Sequence, residues 1–268
     1  MLCNPHNPLG KCYTRDAIIG LLKLCSKHNI HVFVDEIYAL SVYDVPDKEA
    51  VPFTSVLSLD TDEYIDKDYV HHLYGFSKDF AAGGIRMGCL TTRNEDLRRA
   101  MAAESFFGWS GNVNERIACL ILEDKDYLAH FLDLSRKRLS SNNVLTRKLL
   151  DKNGINYYKG ANAGFFIWID LRPYLPQGED VGTGKKDGED GEDGDGADVW
   201  RAEDALTAKL IENKVFVTNG KEMSAEEPGW YRLIFAQDPR AVEEGVKRSV
   251  VSRSPIVRFS FHYSVGIL

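Results

Sequence analysis

Lys78 stands in Gly75-Phe76-Ser77-Lys78-Asp79, at the end of a predicted strand and just before Gly83-Gly84. A lysine there sits where ligands meet the carboxyl ends of α/β strands. Asp35 closes the apolar run Ile30-His31-Val32-Phe33-Val34. A carboxylate in that position needs a cationic or hydrogen-bonded partner to stay ionised. Tyr38 follows three residues later, and Arg86 lies eight residues beyond Lys78. Amine, carboxylate, phenol and guanidinium together meet the needs of one cofactor. Pyridoxal phosphate takes a lysine for its Schiff base, an acid on its pyridinium nitrogen, donors on its ring oxygen and cations on its phosphate.

Such side chains must be brought together by the elements around them. The chain alternates helical patterns with short apolar runs, the signature of an α/β fold. Thr14 is placed to N-cap a helix with Ile18, Leu21, Leu22 and Cys25 on its apolar face. The run at 30–34 then reads as a buried strand, and residues 44–68 as a long connection. Strands are expected at 70–76 and 86–92, and helices from Asn94 to about Phe106, over 112–123 and over 126–153 with Gly154 as the residue after the cap. Further on come a strand at 164–171, a helix over about 199–213, strands at 215–217 and 231–235, and a last helix from near Pro239. Phe165 and Trp168 read as core. The pattern predicts a large α/β domain over residues 1–125 and a smaller C-terminal α/β domain over 126–250, with an atypical tail at 251–268.

Composition narrows the partners. The 268 residues are 44% hydrophobic and 27% charged, which fits a globular chain and excludes collagen, coiled coil and wholesale disorder. The net charge of −7 comes from residues 177–198, which hold nine acids and two lysines and leave 31 basic and 31 acidic residues elsewhere. That Gly-rich acidic insert is expected to be a disordered surface loop. No basic stripe suggests nucleic acid. No apolar run spans a bilayer and no signal sequence opens the chain, so a cytoplasmic location and no membrane contact are expected. The five cysteines show neither a CxxC pair nor a zinc spacing, so reduced thiols and no metal site are expected.

Four motifs then stand in a telling order: Asn4-Pro5-His6-Asn7-Pro8-Leu9-Gly10; Asp35-Glu36-Ile37-Tyr38; Ser77-Lys78-Asp79 with Gly84-Ile85-Arg86-Met87-Gly88; and Tyr231-Arg232-Leu233-Ile234-Phe235-Ala236. Over roughly residues 2–248, insert apart, the chain resembles the class I/II pyridoxal phosphate-dependent aminotransferases of fold type I. Within them it is most similar to the 1-aminocyclopropane-1-carboxylate (ACC) synthase-like branch and its fungal relatives. NPHNPLG and the stretch AGFFIWIDLR, from Ala163 to Arg172, carry that finer likeness. Taken singly, Asn7 reads as a turn residue before Pro8, Tyr38 as core and Ser77 as a residue without a role, while Arg232 could pair with a structural carboxylate. The ordered set makes them candidates.

The resemblance implies a role for each. Lys78 would form the internal aldimine with pyridoxal phosphate and move the Cα proton. Asp35 would keep the pyridine nitrogen protonated. Asn7 and Tyr38 would hydrogen-bond the ring oxygen, Ser77 and Arg86 would bind the phosphate, and Arg232 would grip the substrate α-carboxylate. The implied function is transfer of an amino group between an α-amino acid and a 2-oxo acid by a homodimer. Two alternatives stand beside it: elimination of the ACC synthase or carbon–sulfur lyase kind on the same scaffold, and an inactive fragment. Family members carry a segment before the Asn7 motif that supplies a phosphate-binding turn, a ring stacked on the pyridine and a tyrosine from the partner subunit. Here the chain starts inside the strand leading to Asn7, so a partial large domain with a mostly parallel sheet is expected. Gly75 replaces a serine found in many relatives.

Overall fold

The computed structural model describes residues 1–176 and 196–251. Its first sheet holds β1 (Leu2–Cys3), β2 (Val32–Asp35), β3 (Val70–Gly75) and β4 (Gly88–Thr92) in that order. β1, β2 and β3 run parallel and β4 runs antiparallel to β3, so the sheet is mixed and mostly parallel. Cys3 pairs with Asp35, and Asp35 pairs with Leu73. The carboxyl ends of β1 and β2 are therefore level, and the segments that carry Asn7 and Tyr38 leave them side by side.

Helix α1 (Arg15–Lys27) makes the crossover from β1 to β2. Thr14 caps it as expected, its hydroxyl accepting from the Ala17 amide at 3.2 Å. Ile18, Leu22 and Cys25 pack on Val32 and Val34, with Val56 and Ile65 from the 44–68 connection closing the cluster. Each fully buried aliphatic side chain contributes about 1.5–3 kcal/mol relative to exposure, so this cluster fixes the sheet to its helix. The connection itself is organised by three short 3₁₀ turns at Val56–Ser58, Thr61–Glu63 and Lys67–Tyr69.

β4 begins at Gly88 rather than at Arg86. Gly83–Ile85 form a 3₁₀ turn and Arg86 takes a left-handed φ of 54°, which keeps both out of the ladder. Helices α2 (Glu95–Ser105) and α3 (Asn112–Glu123) follow. The long α4 (Lys125–Lys152) ends at Gly154, whose φ of 66° suits glycine.

The second sheet is antiparallel, in the order β5 (Asn156–Tyr157), β6 (Phe166–Asp170), β8 (Trp230–Ile234), β7 (Thr218–Asn219). β5 is too short to leave a sequence pattern. The strand expected at 215–217 is displaced: Val215 is still tied to Leu210 of α5 (Gly196–Glu212) by a 2.9 Å backbone bond, and pairing with β8 starts only at Thr218. α5 begins inside the segment expected as loop; the rest of that acidic insert, 177–195, lies outside the described residues, as does the tail beyond α6 (Pro239–Val251). Leu150 of α4, Leu206 and Leu210 of α5, Ile167 and Ile169 of β6, and Tyr231 and Leu233 of β8 form the second core.

A hinge of backbone bonds joins the two sheets. The Gly10 carbonyl accepts from the Asn162 and Ala163 amides at 2.8 and 2.9 Å, and the Ser41 carbonyl accepts from the Gly164 amide at 2.9 Å. Gly10 must be small there: its φ is 65°, and a Cβ would lie 3.1 Å from the Ala163 carbonyl oxygen. Among the described residues no helix is long and apolar enough to cross a membrane, and no cluster of His, Cys, Asp and Glu could hold a metal ion.

Candidate active site

The loop after β1 is fixed by Asn4, which is fully buried. Its side-chain amide donates to the Thr54 carbonyl and its Oδ1 accepts from the Tyr13 amide, both at 3.0 Å. Cis peptide bonds precede Pro5 and Pro8. Asn7, half-buried in this loop, accepts at Oδ1 from Arg232 Nη1 at 2.8 Å. Arg232 projects from β8, its Nη2 donating to Thr218 Oγ1 of β7 at 3.3 Å and its guanidinium lying 5.5 Å from the Phe166 ring centre. Arg232 Nε is buried and has no hydrogen-bond partner.

Asp35 ends β2, and its Oδ1 accepts from the Ile37 amide at 3.1 Å. Tyr38, three residues on, is 3% exposed and meets Phe165 and Phe166 edge-on at 5.7 and 5.4 Å. Burial pushes the Tyr38 phenol up to about 12, against the nearby charge of Arg232; Cys3, Asp35 and Asp79 add to the rise. The hydroxyl is thus held as a donor through neutral pH.

Lys78 follows β3 in a tight turn closed by the Ala81 amide on the Lys78 carbonyl at 3.0 Å and the Ala82 amide on the Phe76 carbonyl at 3.2 Å. Its side chain is exposed, and Nζ lies 5.9 Å from the Phe165 ring centre. Among the described residues Nζ has no hydrogen-bond or ion-pair partner.

The structure therefore brings five of the seven sequence candidates together. Asn7 touches Arg232, Arg232 and Tyr38 share Phe166, Tyr38 and Lys78 share Phe165, and Asp35 is close enough to act on the Tyr38 hydroxyl. Ser77 and Arg86 join them through no described hydrogen bond or ring contact. Arg86 is exposed, donates to the Gly83 carbonyl at 3.1 Å, and lines an open hollow of about 530 Å³ with Gly88, Trp109 and Cys119. None of the other six candidates lines that hollow.

Sequence reasoning missed three contributions. Phe165 packs against the second core, as expected, and its ring also lies between Lys78 and Tyr38. Thr218 steadies Arg232. Asp79, next to Lys78, is 4% exposed and holds the Tyr38 loop. Only Asp79 carried a signal, its adjacency to the lysine.

The donor set suits a pyridoxal ring and an amino-acid carboxylate. The unpartnered Arg232 Nε is a buried donor with spare capacity for an anionic oxygen. The unpaired Lys78 amine is free to react, and Asp35 Oδ2 accepts nothing from the described residues. For a phosphate the chain offers Ser77 and Arg86.

The sequence matches the family model described as aminotransferase class I and II over residues 1–248. Human 1-aminocyclopropane-1-carboxylate synthase-like protein 1 is 33% identical over 250 residues, 92% of this chain and 44% of that protein. The 1-aminocyclopropane-1-carboxylate synthase 2 of Cucurbita pepo is 32% identical over 251 residues, 92% of this chain and 46% of that protein. A mouse protein described as a probable inactive 1-aminocyclopropane-1-carboxylate synthase-like protein 2 is 32% identical over 238 residues, 88% of this chain and 36% of its own. The chain thus spans less than half the length of these curated relatives. Among solved structures, Thermus thermophilus aspartate aminotransferase with maleate superposes at a TM-score of 0.71 and 19% identity, over 94% of this chain and 56% of that one.

Proposed function

The chain belongs to the aminotransferase class I and II family and has the fold of its pyridoxal phosphate-dependent members, fold type I; from that premise we propose that it binds pyridoxal phosphate through Lys78 and transfers the amino group of an α-amino acid to a 2-oxo acid. The observation that supports this reading most is the 2.8 Å bond between Asn7 and Arg232, which brings a guanidinium to the loop after β1.

When bound, pyridoxal phosphate supplies an electron sink for a bond broken at the amino acid's Cα. The chain's residues do the rest. Lys78 Nζ would hold the cofactor and would then carry the Cα proton, a task for a base with freedom to move. Asp35 would hold a proton on the ring nitrogen through its carboxylate. Asn7 uses Oδ1 on Arg232, so its Nδ2 is the group left to donate to the ring oxygen, together with the Tyr38 hydroxyl. Arg232 grips the α-carboxylate as a two-pronged donor, with Nε as the unspent prong. Ser77 and Arg86 take the phosphate. A cytoplasmic homodimer is part of this reading.

A second reading keeps these roles and changes the outcome to elimination. It is favoured by the names of the curated relatives, which are ACC synthases or ACC synthase-like proteins at 32–33% identity.

The test is a visible absorption titration of the purified chain with pyridoxal phosphate, before and after borohydride, beside Lys78→Ala. A saturable band that reduction traps, and that the variant lacks, is expected. A trapped adduct unchanged in Lys78→Ala overturns the assignment of Lys78. With an adduct in hand, conversion of an added 2-oxo acid into its amino acid supports transfer, whereas released ammonia, thiol or methylthioadenosine supports elimination.

A further inference from the structure

We infer that Asp79 is a positioning residue: its buried carboxylate latches the loop that carries Tyr38 to the turn that carries Lys78, and so sets the amine against the phenol. The inference rests on the roles proposed above for those two residues. Asp79 Oδ1 accepts from Ser41 Oγ at 2.5 Å. Its Oδ2 accepts from the Leu40 amide at 2.8 Å and from the Tyr74 hydroxyl at 2.9 Å. Two of the three donors thus belong to the loop after Tyr38, and the third to β3.

Nothing else in the described residues makes that link with polar atoms. The β2–β3 ladder ends with Asp35 opposite Leu73, and past it Glu36 meets β3 through its amide on the Leu73 carbonyl at 3.0 Å and its carboxylate on His72 Nε2 at 3.2 Å. Beyond Glu36, no described backbone bond joins the Tyr38 loop to the Lys78 turn. Inside the loop, the Ser41 amide is used on the Tyr38 carbonyl at 3.0 Å, which leaves the Leu40 amide to Asp79. Lys78 itself has no polar partner, so its place is inherited from the backbone that Asp79 anchors.

The arrangement is a demanding one for mere packing. Asp79 is 4% exposed, and burial pushes its carboxyl up even though the hydrogen bonds from Ser41, Leu40 and Tyr74 act to lower it. A well-packed apolar residue fills such a space without that desolvation penalty. What the carboxylate adds is direction: three donors from two elements meet at two oxygens.

The variants separate latch from scaffold. Asparagine can turn its amide so that Oδ1 accepts from Leu40 and Tyr74 while Nδ2 donates to Ser41 Oγ. Asp79→Asn should therefore retain the latch, and Asp79→Ala should lose it. Two readouts are taken on the purified chain: amide hydrogen exchange over 36–41 without cofactor, and the rate at which Lys78 forms its trappable adduct with pyridoxal phosphate. Asp79→Ala should speed exchange over 36–41 and slow adduct formation roughly ten- to a hundredfold, the usual consequence of an ångström-scale misplacement. Asp79→Asn should restore both. If Asp79→Ala does not fold, Ser41→Ala, which removes the 2.5 Å donor, should show the same two changes more weakly. A folded Asp79→Ala or Ser41→Ala with the wild-type adduct rate overturns the inference and leaves the proposed function standing. Wild-type chain that forms no adduct, or forms it equally in Lys78→Ala, overturns the functional reading and the positioning role with it.

Discussion

Asn7 Oδ1 and Arg232 Nη1 stand 2.8 Å apart although 225 residues separate them in the chain. One belongs to the loop after β1 and the other to a strand of the second sheet. That bond and the one from the second Nη to Thr218 at 3.3 Å orient the guanidinium.

Lysine cannot reproduce that fork, because an ammonium is a point donor on a flexible stem. Arg232→Lys should weaken amino-acid binding to the cofactor-loaded chain by about 1.5–3 kcal/mol, the worth of a charged hydrogen bond. Formation of the borohydride-trappable adduct should be unchanged. Spectral titration with an amino acid gives the first quantity and reduction the second. Equal loss of both would place Arg232 on the cofactor instead.

Tyr38 ties stability to alkaline pH. Its phenol ionises near 10 when unfolded and at about 12 in the folded chain, with burial as the main cause. Between those values the unfolded chain has given up a proton that the folded chain keeps. Stability from this group is thus complete below pH 10 and falls as pH rises toward 12. Tyr38→Phe removes that share of the loss. Urea melts at pH 9 and pH 11 should show a smaller drop for the variant than for the wild type, at about the same slope. An equal drop would mean that the hydroxyl is already ionisable in the fold.

How much of this was legible in the sequence depends on range. Thr14 and Asn94 each open a helical pattern in the sequence, and both accept from an amide three residues on, at 3.2 and 2.8 Å. A cap is a local bargain between a side chain and the next turn, so the local pattern contains it. The strand starts at 86 and 215 were misplaced, because a left-handed Arg86 and the tie from Val215 to Leu210 decide where pairing begins. Lys78, Asp35 and Tyr38 were visible as types at strand ends. The Asn7–Arg232 bond and the Asp79 latch were not, because each depends on how two distant loops are docked.

Arg147 shows the same point in the scaffold. It projects from α4 into the connection after β2, where it pairs with the Asp47 carboxylate and donates to the Ala161 carbonyl at 2.5 Å. Asp47 also accepts from the Gly160 amide at 2.9 Å. The arginine side chain is 6% exposed and Asp47 is 19% exposed, so the pair is largely removed from water. Arg147→Met leaves that carboxylate short of its cation and should destabilise the chain by about 3–5 kcal/mol in urea. Asp47→Asn combined with Arg147→Met should lose less than the two single changes added together, because the partners share one network. Simple additivity would show that the pair is not coupled.

Glu203 should behave as an anchor for the strand that carries Arg232. It is fully buried on α5, with Oε1 accepting from the Lys221 amide at 2.9 Å and Oε2 from the Gly229 amide at 2.5 Å. Its backbone carbonyl accepts from the Tyr231 hydroxyl at 3.0 Å. Burial raises the Glu203 carboxyl, and the hydrogen bonds from the Gly229 and Lys221 amides oppose the rise. Glutamine has the right shape and only one oxygen. Whichever way its amide is turned, one of the two backbone N–H groups meets an NH₂ and is left without an acceptor. Glu203→Gln should therefore lose about 1–3 kcal/mol of stability, the penalty for a buried unsatisfied donor. The loosened turn at 220–229 leads directly into Trp230 and Tyr231, so amino-acid affinity at Arg232 should fall with it while the Lys78 adduct still forms. Chemical denaturation measures the first effect and spectral titration the second. A variant as stable as the wild type would show that water, rather than Glu203, satisfies those amides.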